Sequence, residues 1–349
     1  MEEQPLTTGR TSVQNPAITT GKSRSIREIV MSWVHNEAFV GYCFIMPNLV
    51  GFLAFTLLPV LASLIVSFTS WDLLSPPRFV GFKNFIDIFG FSLIPEAALA
   101  SWTDYLFVWQ YLTPKDPGFW QYLYNTAFLM LGIPFGMICS LFIAIVMNRK
   151  LRGIMFFRTI YFLPSISSLV AVALLWRWIY NPDYGLLNAL LGFIGIQGPS
   201  WLTHPLWAKI SLILMGLWSG VGGTNMLLYL AALQGIPQHL YEAADIDGAN
   251  ALHKFMHITI PMLSPTSFFI FIMSVIGGFQ GGFQSAYLMT RGGPGGATTT
   301  LEYYIYNNAF KWFSMGKASA LAWFLFLVIL LVTMVNWKYG GKKVHYQYI

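Results

Sequence analysis

Charge is what this 349-residue chain most lacks: 10% of its residues are Asp, Glu, Lys or Arg, while 56% are hydrophobic. Soluble domains carry about 25% charged residues, so the deficit excludes water as the solvent for most of the chain. Cysteine is nearly absent too. Cys43 and Cys139 both lie inside apolar runs, which excludes a disulfide framework and a spaced metal site. A net charge of +6 is spread over loop ends without forming a stripe, and this argues against nucleic acid as a partner. Residues 1–23 are polar and include two early acids. They lack the basic start and short apolar core of a cleavable signal, and read as a disordered cytoplasmic tail.

What the chain does contain is apolar length. A helix needs about 20 apolar residues to cross a hydrocarbon core of about 30 Å. Seven charge-free runs compete, but 184–208 is punctuated by Gly192, Gly195, Gly198, Pro199 and Pro205. Its continuous apolar part is too short, so it reads as an external amphipathic segment. Six spans remain, at 40–68, 122–147, 156–180, 208–233, 265–290 and 317–337. The 13 Trp and 17 Tyr suit the two interfaces. An even count puts both termini on one side. The cluster Arg149, Lys150, Arg152 and Arg158, joined by Lys254 and Lys338, places that side in the cytoplasm. The expected class is an all-α membrane protein with a cytoplasmic 1–37 region, a six-span domain over 38–340 and a cytoplasmic tail over 341–349.

Outside the spans, Ile26, Ile29, Val30, Trp33 and Val34 share one face of a helix over 25–37. This helix either lies at the cytoplasmic interface or extends the first span downward. Residues 72–121 are too polar to span and too hydrophobic for a floppy linker, and are expected to fold as an extracytoplasmic cap. RGGPGGATTT, opening at Arg291, demands a sharp turn.

Between two greasy stretches lies a polar island, Glu242–Pro265, carrying Glu242, Asp245, Asp247 and Lys254. Pro237 ends the helix before it. A short helix is expected from Gln238 to Asp245, then a bend at Asp247-Gly248, where glycine accepts positive φ. A second helix follows from Ala249 to Ile260, stopped by Pro261. With Ala243, Ala244 and Ala249 allowing close approach, the island reads as a docking surface. His253 and His257 lie four apart on one face, but H-E-x-x-H and a third ligand are missing, so no metal is expected. Gly21-Lys22-Ser23 resembles the end of a phosphate loop without its first glycine or preceding strand. Ser314 and Lys317 have S-x-x-K spacing without the partner motifs. Catalytic residues are therefore not expected.

The island also carries a family resemblance. Glu242-Ala243-Ala244, Asp247-Gly248-Ala249, Phe255, Ile258, Pro261 and Pro265 resemble the full EAA signature of permease subunits of binding-protein-dependent ABC importers. VGFKNF (80–85), WRWIYNPDYGLLNALL (176–191) and MTRGGPGGATT (289–299) are similar to the carbohydrate-uptake branch, of the maltose and glycerol-phosphate type. The likeness covers about 38–340, apart from an insertion near 90–118. It implies a type I importer permease fold in a bacterial cytoplasmic membrane. It also implies pairing with a second homologous permease, two ATPase subunits below and an extracytoplasmic solute-binding protein above. ATP and Mg would sit on the ATPases, with no cofactor on this chain. The loop 234–264 would be the coupling element, acting through Glu242, Ala243, Ala244, Asp247, Gly248, Ala249 and His253.

Carbohydrate contacts call for uncharged polar and aromatic groups at mid-membrane, since amides pair with hydroxyls and aromatic faces cover the ring. Spans four and five offer Thr224 and Asn225, then Ser274, Phe279, Gln280, Phe283 and Gln284, among glycines that loosen the helix. The competing use of those glycines is close helix packing. Arg177 either snorkels to the headgroups or gates the passage. A self-contained secondary transporter is the alternative function. It normally needs intramembrane acids or histidines, and spans two, four, five and six have none. A membrane-embedded enzyme would need a convergent catalytic set, and the acids here share no such motif.

Overall fold

The computed structural model describes residues 37–93, 112–149 and 152–341. The polar tail, the 25–37 helix up to its last residue, most of the 90–118 insertion and the C-terminal tail beyond Gly341 lie outside the described residues. The chain divides into two compact units, Met1–Leu61 and Ala62–Ile349. Helix α1, Glu37–Ser67, begins in the first. It carries Pro47 and a π-turn at Leu53–Leu57, two residues before Pro59.

In the second unit the expected cap begins with two small antiparallel ladders around a short helix, a local departure from the all-α expectation. β1 (Thr69–Ser70) pairs with β2 (Arg78–Phe79) with Thr69 opposite Phe79, and α2 spans Lys83–Phe89. β3 (Phe91–Leu93) pairs with β4 (Leu112–Pro114) with Phe91 opposite Pro114. The Asn84 amide ties α2 to the hairpin by donating to the Ser67 and Thr69 carbonyls at 2.8 and 2.9 Å. The cap ends at Asp116, earlier than expected. The Asp116 carboxylate accepts from Phe119 N–H at 3.1 Å, and with Pro117 at the first turn it starts helix α3, Pro117–Met147.

The remaining helices are α4 (Ile154–Ile166), α5 (Leu169–Ile179), α6 (Leu186–Phe193), α7 (Pro205–Gly220) and α8 (Thr224–Gln234). Then come α9 (Gln238–Ile246), α10 (Ala251–Met262), α11 (Ser264–Phe279), α12 (Phe283–Met289), α13 (Leu301–Tyr306) and α14 (Met315–Gly340). Among the described residues three helices, α1, α3 and α14, are individually long and apolar enough to cross a membrane. The count rises to six when each bent pair is one span. The pairs are α4–α5, bent by 96°, α7–α8, bent by 46°, and α10–α11, bent by 61°.

These bends add breaks that the span ranges read from sequence did not carry. The third span turns at Ser167, where the backbone becomes extended. The fourth begins at Pro205 and breaks at 221–223. The fifth draws its length from 251–279, and what was expected as its outer part is the separate helix α12, beyond a break at 280–282. Helix α6 is eight residues long, too short to cross a membrane. Pro261 does not stop α10 either. A π-turn at Phe255–Thr259 precedes it, as the Leu53–Leu57 turn precedes Pro59, and a widened turn accommodates the amide that proline cannot donate.

Three apolar clusters hold the second unit together. Met226, Tyr229, Leu233, Leu263 and Ile270 join α8 and α11 to Ala144 and Met147 of α3 near the island. Val172, Leu212, Met215, Ala286 and Met289 join α5, α7 and α12. Phe119, Phe279, Leu301, Tyr304 and Leu321 join α3, α11, α13 and α14.

Candidate functional site

A cavity of about 280 Å³ opens where α3, α7 and α11 face one another. Its wall is built mostly from small residues. Gly132, Gly136 and Ser140 supply one stripe of α3, four residues apart; Gly216 and Gly220 come from α7; Ser274, Gly277, Gly278 and Gly281 come from the α11 side. Close approach requires this at two glycines on facing helices: a Cβ on Gly132 would press on Ile213, and one on Gly278 on Met130 and Ile133. Both helix breaks lie on the rim. Gly220 and Val221 end α7 there, and Gly281 and Gly282 lead into α12, with Gly282 at φ +91°. Broken helices expose main-chain donors and acceptors at membrane depth, tolerated where the backbone lines a cavity.

The cavity gathers some of the expected substrate residues and leaves others outside. Asn225 and Ser274 line it. Thr224 lines an adjoining cavity of about 360 Å³ behind the α7–α8 break, shared with Asn225, Ser165 and Ser219. Phe279 is 8% exposed and packs into the core against Val275 and Leu301. Phe283 stacks on Tyr306 at 4.6 Å between ring centroids, while Gln280 and Gln284 are exposed away from the lining. Ser140, Thr126, Ser285 and Thr300 are polar lining residues that sequence reasoning missed. The Ser140 hydroxyl donates to the Val221 carbonyl at 2.9 Å, tying α3 to the α7–α8 break. The Thr126 hydroxyl accepts from Leu301 N–H at 2.9 Å. The small-residue stripe through Gly132, Gly136 and Ser140 is a sequence signal that could have found Ser140.

On the rim beyond α12, Glu302 is half-buried and accepts from Phe283 N–H at 3.2 Å. Burial pushes its carboxyl above the ordinary carboxylate range, opposed by that hydrogen bond.

The island lies at the end of α8 away from the α7–α8 break. Helix α9 closes on Asp247, Gly248 takes φ +77°, and Ala249 N–H reaches back to the Ala244 carbonyl at 2.9 Å. The Asn250 side chain caps α10 through His253 N–H at 2.8 Å. Lys254 pairs with Asp245 at 2.5 Å across the turn, and Tyr241 bonds Thr259 at 2.9 Å. These contacts fix a concavity of about 400 Å³ lined by Ala244, Asp247, Gly248, Ala249, Asn250, His253, Lys254, His257 and Ile258. The His253 and His257 rings stack with centroids 4.0 Å apart, a geometry in which their nitrogens do not converge on a common ion. Glu242 and Ala243 are exposed, and Glu242 has no ion pair among the described residues. Ile246, Leu252 and Met256 are exposed as well, Ile246 at 88%.

Residues 132–339 match the family described as the binding-protein-dependent transport system inner membrane component. The chain is 38% identical over 338 residues to the probable ABC transporter permease protein YesP of Bacillus subtilis (strain 168), covering 95% of this chain and 98% of that protein. It is 36% identical to the lactose transport system permease protein LacF of Rhizobium radiobacter, over 85% of this chain and 91% of that one. It is 30% identical to the trehalose/maltose transport system permease protein MalF of Thermococcus litoralis, over 88% and 95%. A crystal structure of a bacterial ABC transporter involved in the import of the acidic polysaccharide alginate shares the fold. Its TM-score is 0.71 at 23% identity, over 90% of this chain and 98% of that one. With the family match spanning more than half of its residues and YesP aligning along nearly its whole length, this chain belongs to the inner membrane components of binding-protein-dependent transport systems, the ABC transporter permeases.

Proposed function

We propose that this chain is one half of the membrane passage of an ATP-driven carbohydrate importer in a bacterial cytoplasmic membrane. It supplies the path and the mechanical coupling, and its partners supply the chemistry. The observation that carries this reading is the uncharged, glycine-walled cavity between two broken helices. Asn225, Ser274 and freed main-chain groups there suit a neutral, hydroxyl-rich solute. The names of several relatives, which transport lactose, trehalose and maltose, or arabinooligosaccharides, support a saccharide as the solute.

In this reading a second permease completes the passage, a solute-binding protein delivers the sugar at the end remote from the island, and both termini are cytoplasmic. The island engages an ATPase subunit that binds ATP and Mg. Glu242 meets a basic residue there, while Ile246 and Leu252 enter an apolar groove. Ala243, Ala244 and Ala249 let the surfaces approach, and Asp247, Gly248 and His253 hold the bend through which closure of the ATPases turns α10 and α11.

One experiment tests both halves. In proteoliposomes containing the assembled importer and its binding protein, Asn225→Ala with Ser274→Ala should cut saccharide uptake at least tenfold while the ATPases still copurify. Glu242→Lys with Gly248→Pro should abolish copurification and uptake together. Full uptake by the first variant would remove the cavity from the path, and intact copurification by the second would remove the island from the ATPase interface.

A further inference from the structure

A second cavity lies farther from the island than the first. Helix α12 links them: Ser285 on its first turn lines the glycine-walled cavity, whereas Leu288 and Met289 on its last turn line the outer one. The outer cavity has a volume of about 600 Å³, within the span of small-molecule sites, about 300–1,000 Å³. It also sits beside Trp201, just before α7 begins, and so at the opposite end of α7–α8 from the island.

Its chemistry differs from that of the inner cavity. Arg177 at the end of α5 and Arg291 after α12 both line it, and both are exposed. Among the described residues neither guanidinium has a carboxylate within ion-pair distance. The nearby acids do not neutralise them: Asp183 is exposed and makes no ion pair, and Glu302 is held by Phe283 N–H. The back wall is rigid. Tyr180 and Trp201 are 1% and 7% exposed and stack at 5.5 Å, and the Trp201 indole donates to Asn188 at 2.7 Å. Asn181 and Thr290 add polar lining.

Arg291 itself is held in an unusual conformation, φ +52°, for a residue with a side chain. The turn around it is pinned on both sides. Gly292 N–H bonds the Ala286 carbonyl at 3.3 Å, and Thr290 and Thr298 bond each other at 2.5 Å. Backbone strain of this kind persists where the surroundings over-determine it, and such residues cluster at ligand clamps.

Two unpaired guanidiniums on a fixed aromatic wall match a carboxylate, which the planar fork of arginine binds in a bidentate manner. We propose that the outer cavity is a mouth subsite for a carboxylate-bearing saccharide, a uronate unit, which Arg177 and Arg291 hold before the neutral part of the chain enters the glycine-walled passage. The proposal rests on the carbohydrate reading above and narrows it to acidic sugars.

The test is a calorimetric titration of the assembled importer, without its binding protein, in nanodiscs of zwitterionic lipid. Galacturonate, galactose and acetate are the probes. Galacturonate should bind at least tenfold more tightly than galactose or acetate. Arg177→Gln with Arg291→Gln should erase that preference, and Arg177→Lys, which keeps the charge but loses the fork, should reduce it. Equal affinity for galacturonate and galactose would overturn the proposal, as would acetate binding as tightly as galacturonate. So would a double variant that keeps the galacturonate preference but no longer captures the binding protein, because the arginines would then be a protein contact. Neutral-sugar uptake in proteoliposomes separates the two readings. Uptake with no galacturonate preference sinks the subsite alone, whereas no uptake of any saccharide sinks the carbohydrate reading.

Discussion

Replacing Lys317 by methionine tests the ion pair that holds the buried Asp116 carboxylate. Lys317, in the first turn of α14, lies 2.8 Å from the Asp116 carboxylate, which also accepts from the Tyr304 hydroxyl at 2.8 Å and caps α3. Asp116 is 7% exposed, and the Lys317 side chain is 27% exposed. Methionine keeps most of the stem volume but leaves the carboxylate buried beside two neutral donors. Breaking a buried pair from one side costs roughly 3–5 kcal/mol, and the partial exposure of the lysine points to the lower end, about 3 kcal/mol. Asp116→Asn should cost less, about 2 kcal/mol, because asparagine still caps the helix and the lysine can reach water. The double variant should return to within about 1 kcal/mol of the parent, since replacing both charges removes the desolvation penalty. Reversible unfolding of the purified full chain in SDS-containing mixed micelles, followed by tryptophan fluorescence, measures all three. A lysine variant within 1 kcal/mol of the parent, or a double variant equal to the sum of the singles, would refute the reasoning.

Three further outcomes are expected. Gly222→Ala should lower thermal stability and uptake together, because its Cβ would run into the Tyr161 carbonyl, a main-chain atom that cannot rotate away; a melting curve unchanged from the parent would contradict this. Glu302→Gln should stabilise the protein above neutral pH and lose that advantage in acid. A carboxyl raised by burial makes the folded state bind the proton more readily than the unfolded one. Its unfavourable contribution therefore sets in as pH rises above the unfolded value and is complete above the folded one, and melting curves between pH 4 and 8 should separate the two proteins progressively. Asn250→Ala should cost about 1 kcal/mol through loss of the α10 cap and weaken ATPase copurification, whereas Asn250→Asp should restore both.

The island was legible because its information is local: capping, a glycine at positive φ and fixed spacing of small residues operate within 24 residues. Span number was legible for a similar reason, since charge-free length is a sum over residues. Direction was not. Apolar composition does not mark the 96° turn at Ser167, because a sum over residues carries no direction, and Pro164 signals a kink without giving its angle. The cavity lining was only half legible. The glycine-rich segment was identified, but successive residues on a helix point about 100° apart, so Phe279 and Gln280 fall off the stripe that runs through Ser274. The lining set Ser274, Gly277, Gly278 and Gly281 follows the i, i+3, i+4, i+7 spacing of a single stripe. Choosing polar residues by type alone overlooked that phase. Ser140 was missed because its partner, the Val221 carbonyl, is 81 residues away.

A wall of glycine limits how this cavity can change by substitution. Side chains that grip a solute can be exchanged one for another, each keeping the volume while altering the grip. Where Gly216, Gly220, Gly277 and Gly278 form the lining, any single-residue change can only add bulk. At those four positions a substitution therefore only narrows the cavity, and widening it falls to larger lining side chains such as Leu129, Met130 and Leu217, or to a shift of a helix.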